Sequence, residues 1–160
     1  MSTRRVGRLE LRGIREDGEE IRIGALTTHA ELARSPLLRG AIADAAARVG
    51  DRQVRNVGTI GGSLAHGDPA SDAPAPLLAL GARLRLRGLS GEREVAVADF
   101  FQGPFSTSLG QQELLTEIVV PRPPGAASAY ASFEDPASGY PIAGARSRSR
   151  SCRRAPPRSA

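Results

Sequence analysis

Between Arg55 and Asp72 the chain reads RNVGTIGGSLAHGDPASD. Two adjacent glycines, Gly61 and Gly62, follow Thr59-Ile60, and Ser71-Asp72 closes the stretch. Four glycines and few large apolar side chains across residues 51–72 predict loop there, with one helical turn near residues 63–66. A chain of 160 residues that spends so many on a bare segment must build one core from what lies on either side. That core has to be aliphatic, because there is no Trp and only two Tyr and four Phe.

The flanks read as mixed α and β. IRIGALTTH (21–29) alternates and predicts a half-buried strand. Thr28 and Glu31 in THAEL have capping-box spacing for a short helix. Ser35-Pro36 predicts the start of a helix over 36–48 that turns Leu37, Leu38, Ile42, Ala45 and Ala46 inward and stops at Gly50. SDAPAPLLALG (71–81) predicts a helix opened by Ser71 or Asp72, with Leu77, Leu78 and Leu80 inward and Gly81 at its end. ARLRLRG (82–88) and REVAV (93–97) predict a hairpin, ELLTEIVVP (113–121) a third strand and SAYASFED (128–135) a weaker one. The loop ADFFQGPFSTSLG is expected to anchor on the core through its three phenylalanines. This order implies an α+β fold with a largely antiparallel sheet and flanking helices.

Charge misleads if read as a whole. The net charge is +5, but residues 146–160, RSRSRSCRRAPPRSA, hold six arginines and no acid, leaving 16 basic against 17 acidic residues in the rest. The body is close to neutral, which gives no ground for a nucleic-acid-binding domain. The basic residues other than histidine are all arginine. No apolar run approaches the roughly 20 residues of a membrane span, and the N-terminus lacks the apolar region of a secretory signal. A single cysteine, Cys152, leaves no internal disulfide and no multi-cysteine metal site, so a cytoplasmic location and no metal ligands are expected.

The glycine stretch suggests a ligand. With no Cβ at Gly61 or Gly62, consecutive N–H groups can point one way and an anion can approach the backbone. A helical turn from Ser63 would add the positive end of its dipole, and Thr59 and Ser63 add hydroxyls. Asp72 would repel phosphate, so its carboxylate suits the hydroxyls of a sugar. Diphosphate plus polyol is the chemistry of a dinucleotide, FAD or NAD. On the plainer reading the pair is a turn, Asp72 a helix cap and His66 a surface histidine. Neither G-x-G-x-x-G nor a P-loop is present.

VRNVGTIGGSLAHGDPASDAPAPLLALGA resembles the second flavin loop of the FAD-binding medium subunit of molybdenum hydroxylases, the xanthine dehydrogenase and carbon monoxide dehydrogenase medium-chain family. That family's pattern is R-N-x-A/G-T-I-G-G-N followed by P-x-S-D. IRIGALTTHAEL before it and ADFFQGPFSTSLGQQELLTEIVVPRPP after it are similar to the family's neighbouring stretches, so the resemblance runs from about Leu11 to Ala145. The H-x-D-P-A-S-D form leans toward the carbon monoxide dehydrogenase branch. The resemblance implies the FAD-binding domain of the molybdopterin dehydrogenase type. Thr59, Ile60, Gly61, Gly62 and Ser63 would line the FAD diphosphate, with Ser63 standing where the family usually has Asn. Asp72 would lie against the flavin, Leu115 would make an apolar contact, and His66 and Ser71 would add further contacts. No residue of this chain would be catalytic toward substrate. FAD would carry electrons from 2Fe-2S clusters to an acceptor, with an iron–sulfur small subunit and a molybdenum-cofactor-binding large subunit as partners, without nucleic acid.

Two departures from that pattern carry expectations. The family's first flavin loop, A-G-G-T/H-x-L, has no counterpart in residues 1–12, so the domain is read as a partial one over 13–145. Losing one side of a diphosphate site removes two to four charge-assisted hydrogen bonds of roughly 1.5–3 kcal/mol each. At the other end, 146–160 reads as a disordered tail or a frameshift product. GC-rich codons for Arg-Ser repeats read in the next frame as Val-Ala repeats, the alternation of the strand that the family carries there. A chain truncated at both ends is expected to have marginal stability. The competing functions are a basic-tailed binding protein and a remnant without flavin activity.

Overall fold

The computed structural model describes residues 11–38, 40–122, 126–134 and 141–150, with the side chains of 126–127, 133–134 and 141–150 left aside. The chain opens with the hairpin β1 (Ile14–Asp17) and β2 (Glu20–Gly24). Helices α1 (His29–Arg34), α2 (Ala41–Arg48), α3 (Arg52–Val57), α4 (Ile60–His66) and α5 (Pro74–Leu80) follow. A second hairpin, β3 (Arg83–Gly88) and β4 (Gly91–Ala96), leads through the single turn α6 (Val97–Phe100) to the small ribbon β5 (Phe101–Gly103) and β6 (Ser106–Thr107). Three long strands complete the described chain: β7 (Glu113–Pro121), β8 (Ala126–Glu134) and β9 (Pro141–Arg150).

The main sheet is antiparallel throughout, in the order β1-β2-β7-β3-β4. Its centre is β7, the strand with the longest β-branched run, as strand propensity and burial on both sides require. Alternation divides the faces. Ile23, Leu84, Leu86 and Ile118 point to the helices and are fully buried against Ile60, Leu64, Leu77 and Phe100. Each such side chain contributes about 1.5–3 kcal/mol of transfer free energy. On the other face Glu117 is buried beneath three arginines, Arg15, Arg22 at 3.1 Å and Arg85 at 3.4 Å, while Arg83 joins Glu20 to Glu94. The arginines of RLRLRG therefore serve as ion-pair partners on a sheet face. A bulge at Arg85/Leu86 is closed by Thr116, whose hydroxyl donates to the Arg85 carbonyl at 3.1 Å.

The α+β class, the antiparallel sheet and the capping box at Thr28 and Glu31 match the sequence reading. Elsewhere local rules were overridden. The helix expected from Pro36 starts at Ala41, and Ser35 instead ends α1, because Gly40 at φ +90°, ψ −140° breaks any helix crossing it. Residues 51–72 are largely helical. Asp51 caps α3 by accepting from Gln53 and Val54 N–H, and Thr59 caps α4 by accepting from Gly62 N–H. Helix α5 starts at Pro74 without a side-chain cap, and Leu78 faces solvent. Of the three phenylalanines, Phe100 is buried, Phe101 half-buried and Phe105 exposed at the tip of the β5–β6 ribbon.

Strands β8 and β9 form a separate ribbon in register from Ala126↔Arg150 to Glu134↔Pro141. The boundary expected after Ala145 thus falls inside β9, and residues 146–150 are paired backbone. Cys152 and the rest of the expected tail lie outside the described residues, as does most of the expected segment 1–12. The ribbon docks on α2: Ala41 N–H donates to Ser128 Oγ at 3.3 Å, and a Cβ at Gly40 would stand 2.0 Å from the Ser128 carbonyl oxygen. Gly40→Ala therefore meets both a forbidden backbone conformation and a steric block. The expected loss is about 1–3 kcal/mol or more, read as a lowered midpoint in urea unfolding.

Candidate functional site

Segment 25–29, at the end of β2 and the start of α1, meets segment 58–61, which opens α4. His29 N–H donates to the Gly58 carbonyl at 3.0 Å, Ile60 N–H to Thr27 at 3.0 Å and Gly61 N–H to Ala25 at 2.9 Å, with Thr28 and Thr59 facing each other as a bridge. Close approach explains the first glycine of the pair: a Cβ on Gly61 would lie 2.5 Å from the Ala25 Cβ. Gly62 is its opposite. It is exposed, and a Cβ there would meet only Thr59 Oγ1, at 3.0 Å.

This arrangement corrects the picture of a free row of N–H groups. The N–H of Ile60 and of Gly61 are used inside the protein, Ser63 N–H donates to the Thr59 carbonyl, and Gly62 N–H donates to Thr59 Oγ1 at 3.2 Å. Two hydroxyl residues flank exposed Gly62: Thr59, which caps the helix, and half-buried Ser63. Gly62 is the exposed residue of the pair, and its N–H is held by the 3.2 Å bond to Thr59 Oγ1.

The other expected contacts are distributed unevenly. Ile60 is buried in the core. His66, exposed at the far end of α4, leans on the Phe105 ring with centroids 5.2 Å apart. Phe105 is the only non-glycine residue with positive φ among those described, at +55°, and its N–H donates to the Gly67 carbonyl at 2.8 Å. Ser71 is half-buried and accepts from Ala73 N–H at 3.4 Å. Leu115 lies in the main core opposite Leu86. Asp72 is buried, and its Oδ1 accepts from the Tyr130 hydroxyl at 2.7 Å. Burial and that hydrogen bond push the Tyr130 phenol up to about 12. Among the described residues no group of three or more His, Cys, Asp or Glu is placed to hold a metal, and no helix is long and apolar enough to cross a membrane.

One residue of this site is absent from the sequence reading. His29, on the first turn of α1, is 2% exposed, and its Nε2 lies 3.0 Å from Ser63 Oγ. The ring borders a small chamber otherwise lined by apolar side chains, among them Leu32, Ile42, Ala46, Ile60 and Leu77. Burial without a carboxylate in that lining holds the imidazole below its ordinary value of 6.5. A sequence signal exists only in hindsight: T-T-H-A-E-L puts the histidine just after the cap, on the side of a short helix that must face the core.

The fold is an antiparallel α+β domain with this glycine-and-hydroxyl loop at the start of α4. Residues 5–123 match the family described as FAD binding domain in molybdopterin dehydrogenase, and the chain belongs to that family. The match begins within the segment 1–12 that was expected to lie outside it. The chain is 45% identical over 115 residues to the carbon monoxide dehydrogenase medium chain of Hydrogenophaga pseudoflava, covering 70% of this chain and 40% of that one. It is 38% identical over 137 residues to the glyceraldehyde dehydrogenase medium chain of Sulfolobus acidocaldarius, covering 84% and 49%. Among solved structures, carbon monoxide dehydrogenase from Hydrogenophaga pseudoflava superposes with a TM-score of 0.78 at 41% identity, over 84% of this chain and 48% of that one. The chain thus spans about half the length of the curated relatives it matches or less.

Two titrations follow from the buried groups. An unfolded chain protonates His29 near 6.5, whereas the folded chain does so only at lower pH. Stability is therefore present above about pH 6.5 and is lost as pH falls below it. Thermal melts between pH 7.5 and 5.5 should show this loss, and His29→Gln should flatten the profile in that window. Tyr130→Phe withdraws a donor from buried Asp72, at an expected cost of about 1–3 kcal/mol. The same variant should remove the ultraviolet phenol titration near pH 12.

Proposed function

We propose that this chain binds FAD at the start of α4 and acts as the FAD-binding part of a molybdenum hydroxylase. Thr59, Gly62 and Ser63 hold the cofactor's diphosphate: the two hydroxyls donate to phosphate oxygens, and the missing Cβ of Gly62 lets those oxygens reach the backbone. The observation that carries the reading is this exposed glycine between two hydroxyls, in a domain of this family. Ile60 and Gly61 fix the loop from behind. His66 with Phe105, and Ser71, line its far side, where a ring or sugar of the cofactor extends. Asp72 and Leu115 act from within, Asp72 by fixing its loop to Tyr130 and Leu115 by seating β7.

When bound, FAD supplies one- and two-electron transfer between redox partners. The chain's residues orient it and need no catalytic acid or base of their own. In such an assembly, 2Fe-2S clusters on a small partner subunit would supply the electrons, drawn from a molybdenum cofactor on a large one. The support is the naming of the relatives as medium chains of dehydrogenases. Those relatives act on different substrates by their names, carbon monoxide and glyceraldehyde, so similarity of this subunit selects no substrate. A basic-tailed nucleic-acid binder is the weaker reading, since residues 146–150 are engaged in a strand.

The test is a titration of the full chain with FAD, followed by quenching of flavin fluorescence. Saturable binding is expected, insensitive to competing single-stranded DNA. Gly62→Val should weaken it roughly tenfold or more, the loss of about one charge-assisted hydrogen bond. The melting temperature should fall only slightly, because a Cβ at this exposed position meets a single atom, Thr59 Oγ1 at 3.0 Å, which a small rotation of the threonine relieves. Absence of saturable binding by the wild-type chain would overturn the proposal.

A further inference from the structure

We propose that His29 is a positioning residue for the cofactor loop: its buried imidazole donates from Nε2 to Ser63 Oγ, which leaves Ser63 its own hydroxyl proton to give to the bound diphosphate. This rests on the FAD reading above and names the residue behind it.

The geometry leaves His29 little freedom. It lies inside the capping box, between Thr28 and Glu31, so its backbone is fixed at the helix start. Its N–H is held by the Gly58 carbonyl at 3.0 Å. Gly58 also packs on the ring, where a Cβ would come within 3.2 Å of Cδ2. Apolar side chains line the chamber on its other side. Of its two ring nitrogens, Nε2 finds a partner in Ser63 Oγ, 3.0 Å away.

The direction of that bond decides what Ser63 can do. A serine hydroxyl carries one proton and two lone pairs. If Ser63 donates inward to Nε2, it turns lone pairs toward the incoming anion, and the contact is repulsive. If Nε2–H donates outward, Ser63 accepts from His29 and donates to phosphate, so the two hydrogen bonds point one way and reinforce each other. A neutral imidazole protonated on Nε2 is therefore the form that makes this loop an anion site. Half-buried Ser63 joins the two environments, with His29 behind it and exposed Gly62 beside it.

The first measurement is nitrogen NMR of the full-length wild-type chain labelled on histidine, with the His29 signals assigned by their loss in His29→Gln. The expected result is a neutral ring protonated at Nε2 and bare at Nδ1 at pH 7.5. A ring protonated only at Nδ1 would overturn the proposal whether or not FAD binds. The second measurement is FAD affinity. His29→Leu keeps the bulk without the donor and should weaken binding roughly five- to tenfold, the effect of one hydrogen bond. His29→Gln restores a donor and should regain most of it. Ser63→Ala should cost a similar factor, and the double variant His29→Leu/Ser63→Ala little more than either alone, since the two act as one unit. Wild-type affinity in His29→Leu, or fully multiplicative losses in the double variant, would overturn the role. If even the wild-type chain fails to bind FAD, the function proposed above falls, and the protonation state of Nε2 still decides this inference.

Discussion

The structure turns on a short crossing of backbone. Residues 25–29 leave the sheet, residues 58–61 enter α4, and three N–H groups join them through Gly58, Thr27 and Ala25. Everything at the site inherits its position from this contact. It brings the start of α4 against the end of β2, places Leu64 of that helix over the sheet, and leaves the next residue along, Gly62, facing out. The crossing demands a residue without a side chain at 61, because Ala25 already fills the space. Two glycines adjacent in sequence thus answer to unrelated constraints, one to packing and one to access.

The two faces of the main sheet solve different problems. Toward the helices, aliphatic side chains are excluded from water and set the layer spacing. On the other face, Glu117 is buried beneath arginines from three neighbouring strands, and removing any one would leave charge poorly compensated. That network ties β1, β2, β3 and β7 through side chains as well as ladders. It also gives the many arginines of this chain a partner within the body, in keeping with its near-neutral charge.

Much of this could be read from the sequence because local rules and the global fold agree there. The alternation of ARLRLRG, the β-branched run of ELLTEIVVP and the Thr28–Glu31 cap each specify their element without help. Reading failed where one residue acts through tertiary geometry. Gly40 breaks a good helical pattern because β8 presses against it, a neighbour 88 residues along the chain that no local window contains. Residues 51–66 seemed too rich in small residues for helix, yet Asp51 and Thr59 cap two short helices whose stability comes from packing more than propensity. At the site, Thr59, Gly62 and Ser63 stand out in the sequence as candidates. The use of the Ile60 and Gly61 N–H groups is not legible there, since their acceptors, Thr27 and Ala25, lie about 35 residues back along the chain.

The deepest lesson of the site concerns what lies behind it. Asp72, expected to lie against a cofactor, accepts from Tyr130 on β8, so the ribbon β8–β9 is tied to the same loop that follows α4. Ser63, expected to line the diphosphate, is held from within by His29. In both cases a side chain at the loop is oriented by a buried partner from another element: α1 for Ser63, β8 for Asp72. On the function proposed here, a loop that meets a charged ligand with few free N–H groups depends on such partners, because each hydroxyl or carboxylate has to present the correct proton or lone pair. The surface of this site is small and its specification is internal. Substitutions in α1 or β8 that never touch a ligand should therefore shift its chemistry as surely as those in the glycine loop.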